Sequence, residues 1–297
     1  MSRGGICEHA VTTLEESYAR ARELAKAFGT SYYVATFPLP RVKRHHAQAL
    51  YGFCRYAADV VSAVPRTSVA GREQAINDLG TRLFGDLAAG ASDDLVLKAV
   101  VHTARSFDLD PDCFRRFLRA MTNSLTVTSY DTFEDLLDYL DGSAAVIGEL
   151  ILPILEPNSD SALPHARDFA IACRLTECWS DVARDLERGR VYIPQEDLRH
   201  FGADPWLRRV TPEWRALMAF EVRRTREYFE TSDSIASELP ASSARCVRTV
   251  RDLHTQMLDR IDRVGADVFT ARPRVPGWRT AEIVARRSLL RTTATPR

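Results

Sequence analysis

Three carboxylates stand one helical turn apart past the middle of the chain. Glu177, Asp181 and Asp185 fall in the stretch Arg174 to Gln195, RLTECWSDVARDLERGRVYIPQ. On a helix, residues four apart share a face, so these acids line up and repel one another. A divalent cation relieves that repulsion. Magnesium suits it, because it takes a few carboxylates and completes its shell with water and phosphate oxygens. Arg174, Arg184 and Arg188 are close in sequence, so on spacing alone a solvated ladder of ion pairs reads at least as well.

The elements that must position these acids are helices. Strand-like alternation is sparse, whereas apolar residues recur at three- and four-residue steps along most of the 297 residues. Helices are expected over 12–28, 41–64, 72–88, 94–107, 111–128, from Thr132, and over 143–155, 164–187, 211–239 and 241–265. Thr12 or Thr13 ahead of Glu15 and Glu16 is a cap with an acidic first turn. Asp110-Pro111 places proline at a first helical position, and Thr132 with Asp135 has capping-box spacing. Prolines at 38, 40, 65, 157, 194, 205 and 240 mark breaks. No long or low-complexity linker appears, so residues 1–297 read as one all-α domain.

Composition narrows the partners. Lysine plus arginine equal aspartate plus glutamate at 40 each, which offers no bulk attraction to nucleic acid. Six cysteines are scattered without a C-x-x-C pair; a reduced, cytoplasmic setting is expected. The first residues lack the apolar run of a signal peptide, and no stretch is apolar enough to span a membrane.

The acidic segment resembles the second aspartate-rich motif of squalene and phytoene synthases. Asp181, Asp185, Arg188-Gly189-Arg190, Tyr192, Pro194 and Glu196 follow that motif in order. Ser31-Tyr32-Tyr33 before Pro38, Ala49 to Arg55 (ALYGFCR), Thr132 to Leu136 (TFEDL), Leu258 to Ile261 (LDRI), Asp267-Val268-Phe269 and Arg274-Val275 extend the resemblance over nearly the whole chain. It implies an all-α isoprenoid synthase bundle around a central cavity, with magnesium diphosphate at one end and the prenyl chain at the other. It assigns Asp59, Asp181 and Asp185 to catalysis and to Mg²⁺; Glu177, an acid where the family usually carries a neutral asparagine, is expected to add to the metal binding. Arg55, Ser31, Tyr139, Arg174, Arg190 and Arg274 take the diphosphate.

Departures from the family pattern fall on ligand-facing positions. The first aspartate-rich motif keeps only Asp59; Ala58 and Ser62 replace its other acids. Thr30 stands for a lysine, Glu177 for an asparagine, Ser180 for an arginine, His254 for a tyrosine, and Asp141 for an aromatic residue. This pattern suggests transfer from one allylic prenyl diphosphate, such as dimethylallyl diphosphate, to a non-diphosphate acceptor. That acceptor is expected to be aromatic, as in a divergent branch acting on carbazoles. Asp141 or His254 would then take the ring proton if either faces the cavity, although a structural role for His254 is the plainer reading. The alternatives are head-to-head condensation of two prenyl diphosphates, and an inert partner that only binds them. His45 and His46 are expected at the surface.

Overall fold

The computed structural model describes residues 12–28, 30–62, 68–270 and 272–289. Fourteen α-helices occur among them, with no strand. In chain order they are α1 (Leu14–Phe28), α2 (Thr30–Ala35), α3 (Arg41–Ser62), α4 (Val69–Ala89), α5 (Leu97–Ser106), α6 (Pro111–Asn123) and α7 (Phe133–Leu140). These are followed by α8 (Val146–Leu155), α9 (Ala162–Ser180), α10 (Val182–Glu187), α11 (Gln195–Phe201), α12 (Pro212–Thr231), α13 (Ala241–Arg263) and α14 (Gly277–Leu289). The expected break at Pro65 lies outside the described residues.

The caps form as the sequence implies. Thr13 and Glu16 exchange hydrogen bonds at the start of α1. Asp110 accepts from Asp112 N ahead of Pro111, and Thr132 and Asp135 close a reciprocal box on α7. The helix expected over 164–187 is instead two, because Asp181 leaves helical geometry between α9 and α10. Both carbonyl bonds across the joint survive, from Asp181 N to Glu177 O and from Asp185 N to Asp181 O, each 2.9 Å. The one-turn spacing of the acids therefore persists through the break.

α6 stops at Asn123, short of the expected 128. The chain then runs beside the segment after α10, where Val191 N donates to Thr128 O at 2.8 Å and Gln195 N to Tyr130 O at 2.9 Å. Between α7 and α8, residues Asp141–Ala145 form a widened π-helical turn.

Close backbone contacts hold the bundle. A Cβ on Gly52 of α3 would lie 2.5 Å from Ala21 O of α1, and one on Gly148 of α8 would lie 2.5 Å from Ala166 O of α9. Only glycine permits such approach. Apolar side chains of α3 to α6 and α8 form one core, including Phe53, Phe114 and Leu150. A second core gathers Trp179, Trp214, Leu217 and Leu258 from α9, α12 and α13. His46 is buried rather than at the surface, bonded to Tyr18 Oη at 2.9 Å and Thr103 Oγ1 at 2.9 Å. Its ring fills a gap between α1, α3 and α5, with burial pushing its pKa down to about 4. No described helix is long and apolar enough to cross a membrane.

Candidate active site

A cavity of about 1180 Å³ runs between the two cores, lined by α2, α3, α6, α8, α9, α13 and α14. That exceeds the ~300–1,000 Å³ typical of a single small-ligand site. Part of its lining is aliphatic and aromatic, with Phe117, Ile147, Ile151, Phe169 and Val247. The remainder carries eight lysine and arginine side chains and four carboxylates: Asp59, Glu177, Asp181 and Asp185.

Asp181 and Asp185 sit where α9 passes into α10. Arg272 donates to Asp181 Oδ2 at 2.8 Å, and Arg184 approaches the same oxygen at 3.9 Å. Asp181 Oδ1 is buried and ion-paired with the same guanidinium, so Arg272 grips both carboxylate oxygens. Burial raises both carboxyl pKa values, that of Asp185 to about 6, against the opposing pull of nearby arginines. Two carboxylates whose burial the arginines only partly offset are groups that a hard cation would complete. Among the described residues no three His, Cys, Asp or Glu side chains converge as a ready cage. Two carboxylates with room for phosphate and water still fit the sparse protein ligation that Mg²⁺ takes beside a substrate phosphate.

Glu177 lies one turn earlier but has other partners. It accepts from Arg174 at 3.1 Å, and, after burial, its charge helps push up the pKa of Tyr32. Glu177 nevertheless lines the cavity with Asp181 and Asp185. Arg174 stacks over Tyr192 at 5.2 Å. Arg190 donates to Ser124 O and reaches Tyr192 Oη at 3.4 Å. Tyr139, Tyr192 and Tyr130 pack ring to ring at 5.4–6.0 Å.

The α3 wall is different. Arg55 binds its own neighbour Asp59 at 2.6 Å and 3.0 Å, and both line the cavity. Ala58 and Ser62 line it as well, so the two positions without acids do face the site. Ser31 and Arg274 are also on the lining. The side chain of Thr30 lies outside what is described.

Asp141 does not belong to the site. It is absent from the cavity lining and pairs on the exterior with Arg116 at 3.5 Å and with Arg167, both of which also hold Glu149. Tyr139 faces the cavity, and two residues further along a helix is about 200° around its axis. His254 does line the cavity, with its ring buried. Sequence reasoning missed Arg272, Arg184, Arg188 and Lys26 on the lining. The pair Arg272-Pro273-Arg274 was the available signal for the first of these.

Residues 25–279 match the family model for squalene/phytoene synthase. The chain belongs to the squalene/phytoene synthase family. It is 30% identical to the 15-cis-phytoene synthase of Synechococcus elongatus, over 91% of this chain and 92% of the relative. It is 29% identical to a phytoene synthase of Arthrospira platensis, over 92% and 93%. The crystal structure of squalene synthase HpnC from Alicyclobacillus acidocaldarius superposes with a TM-score of 0.77 at 28% identity, covering 85% of this chain and 95% of that one. A dehydrosqualene synthase crystallised with a ligand superposes at 0.84 and 20% identity, a likeness of fold. The chain is thus a prenyltransferase-type family member with the class I isoprenoid synthase fold.

Proposed function

We propose that this protein ionises one allylic prenyl diphosphate at the face of Asp181 and Asp185 and transfers the prenyl group to a neutral, electron-rich aromatic acceptor. The observation that carries the reading is the asymmetry of the charged lining. Two half-buried carboxylates, Asp181 and Asp185, stand on the α9–α10 side, whereas α3 presents Ala58 and Ser62 beside one acid, Asp59, that is paired with Arg55. Asp181 and Asp185, with Asp59 from α3, would hold Mg²⁺, which when bound would neutralise charge on the leaving diphosphate. Arg55, Arg174, Arg190, Arg272 and Arg274 bind and orient its oxygens, where charge grows as the allylic bond breaks. Ser31 and Tyr139 add hydroxyl donors. The apolar remainder of the cavity excludes water from the cation.

Head-to-head coupling of two prenyl diphosphates is the second reading, and the comparisons favour it, since the phytoene synthases named above are similar over more than nine-tenths of the chain. The cationic lining also supports it, because the lysine lost at Thr30 is offset by Lys26, Arg184, Arg188 and Arg272. Against it, α3 offers only Asp59, already paired with Arg55, to hold metal for a second diphosphate. The test is a product assay with Mg²⁺. Farnesyl and geranylgeranyl diphosphate are supplied alone, then dimethylallyl diphosphate with electron-rich arenes, and products are read by mass. Prenylated arene is the expected outcome. C30 or C40 hydrocarbon as the main product overturns the first reading in favour of the second.

A further inference from the structure

We propose that His254 accepts the proton that the coupled carbocation must lose, and that Tyr32 and Glu177 carry that proton away. The proposal rests on the prenyl-transfer reading, but holds for either acceptor, since both routes end in a cation that must shed a proton.

His254 stands on α13 with its ring buried against the cavity. Its Nδ1 lies 2.8 Å from Val250 O. A carbonyl oxygen only accepts, so Nδ1 carries the hydrogen and Nε2 of the neutral ring carries the lone pair. The surroundings keep the ring neutral. Burial pushes its pKa down, and nearby Val247, Val250, Met257 and Phe229 are apolar. The cysteine thiols on this lining, Cys54, Cys173 and Cys246, are pushed up by burial and stay protonated. Tyrosines 32 and 51 stay protonated for the same reason. Asp181 and Asp185 are with the arginines of the diphosphate end. Glu177 is paired with Arg174, so the neutral imidazole nitrogen is the base offered to the apolar part of the lining.

An exit path is built beside it. The Tyr32 ring lies 5.3 Å from the His254 ring, and both Tyr32 and His254 lie within reach of the Glu177 charge. The Glu177 carboxylate in turn favours the charged form of His254. In the step, the C–H bond beside the cationic carbon breaks. Its electron pair forms the new double bond, or restores the arene. The proton goes to Nε2, and the imidazolium is held by the Glu177 charge until it passes the proton along Tyr32 and Glu177 to solvent. Glu177 and His254 thus both act beside Tyr32 on the cavity lining.

The test follows two products of one reaction. Diphosphate release reports ionisation, and the deprotonated coupling product reports the proton step. The probes are geranylgeranyl diphosphate alone, and dimethylallyl diphosphate with indole or carbazole, each with Mg²⁺. His254→Asn retains an amide donor for Val250 O and has no basic nitrogen; His254→Phe removes both. In each variant the ratio of coupled product to diphosphate falls about 100-fold or more, with prenyl alcohol from water capture in its place. Diphosphate release stays within a few-fold of wild type. Glu177→Gln lowers the same ratio by less. An unchanged ratio in His254→Asn with intact helical circular dichroism overturns the proposal and makes the released diphosphate the base. Wild-type protein that releases no diphosphate from either probe overturns the prenyl-transfer reading itself, and this proposal with it.

Discussion

Asp59 on α3 and Asp181 between α9 and α10 line the same cavity, yet the Asp59 side chain is 44% exposed and that of Asp181 is 16% exposed. Asp59 spends its charge on Arg55, its neighbour one turn earlier. Such an exposed i,i+4 pair is worth about 0.3–0.5 kcal/mol and demands nothing from a ligand. Asp181 and Asp185 are held away from water at a cost that Arg272 and Arg174 only partly offset. The fold thus stores an unmet need for cationic charge on one wall and none on the other. A site that binds a polyanion through metal needs the first kind of wall.

The largest expected effect breaks the comparison directly. Asp181→Ala and Asp185→Ala each lower turnover by about 100- to 1,000-fold, the scale seen on removing one electrostatic stabiliser of a transition state. Asp59→Ala lowers it by about 10-fold or less if one metal-bound diphosphate is used. Single-turnover kinetics with dimethylallyl diphosphate at saturating Mg²⁺ measures all three, with circular dichroism to confirm the helices. Equal losses on both walls would mean that α3 carries metal after all, and head-to-head coupling would gain.

Stability gives the next effect. Asp185 is pushed up from 3.8 to about 6 in the folded chain, so between those values the folded state binds more protons than the unfolded one. Stability without metal therefore falls as pH rises through that window, and the penalty is complete above about 6. Asp185→Asn removes a charge buried at a cost on the order of 2 kcal/mol. The variant should melt several degrees above wild type at pH 7.5 and lose that advantage near pH 4. Mg²⁺ with inorganic pyrophosphate should close the gap at pH 7.5 by raising the wild type alone. A variant that melts lower than wild type at pH 7.5 would show Asp185 to be a satisfied structural acid.

The same contrast explains what the sequence could and could not tell. Helix starts were legible because Thr13, Asp110 and Thr132 make local bonds to residues two or three positions away. Asp181 and Asp185 were legible because one-turn spacing survives even a helix break. Arg272 was not, because it meets Asp181 across 91 residues and its loop has no periodic pattern. α2, α11 and α14 were missed for a related reason: they are short or half-exposed, so their apolar spacing is faint. Whether Glu177 faces a metal or Tyr32 depends on where α2 crosses α9, which no local pattern encodes.

Arg272 offers an intermediate test. Its guanidinium is the nearest countercharge to Asp181 yet lies at the exposed end of the cavity. Because Asp181 is only 16% exposed and would lose its main partner, Arg272→Ala should lower stability by about 1–3 kcal/mol. The KM for the prenyl diphosphate should rise several-fold while the Mg²⁺ concentration for half-maximal rate falls, since Asp181 is freed for the ion. An unchanged KM would confine Arg272 to a structural tie between the 272–276 loop and α10.

The smallest effect comes from an acid that the two walls leave outside. Asp141 sits in the widened turn between α7 and α8 and joins Arg116, Arg167 and Glu149 on the exterior. Glu149 is the more buried acid of that cluster and bonds both arginines, so it remains paired when Asp141 is changed. Asp141→Asn removes one partly exposed charge and leaves an amide that still accepts from either guanidinium. The expected loss is about 0.5–1 kcal/mol of stability, read from a urea midpoint shift with unchanged slope. Turnover and the ratio of coupled product to diphosphate should stay within twofold of wild type, because neither the prenyl cation nor its proton reaches this face. A collapse of that ratio in Asp141→Asn, with His254→Asn unaffected, would place the proton step on the outer side of α7 and reverse the assignment that the cavity lining supports.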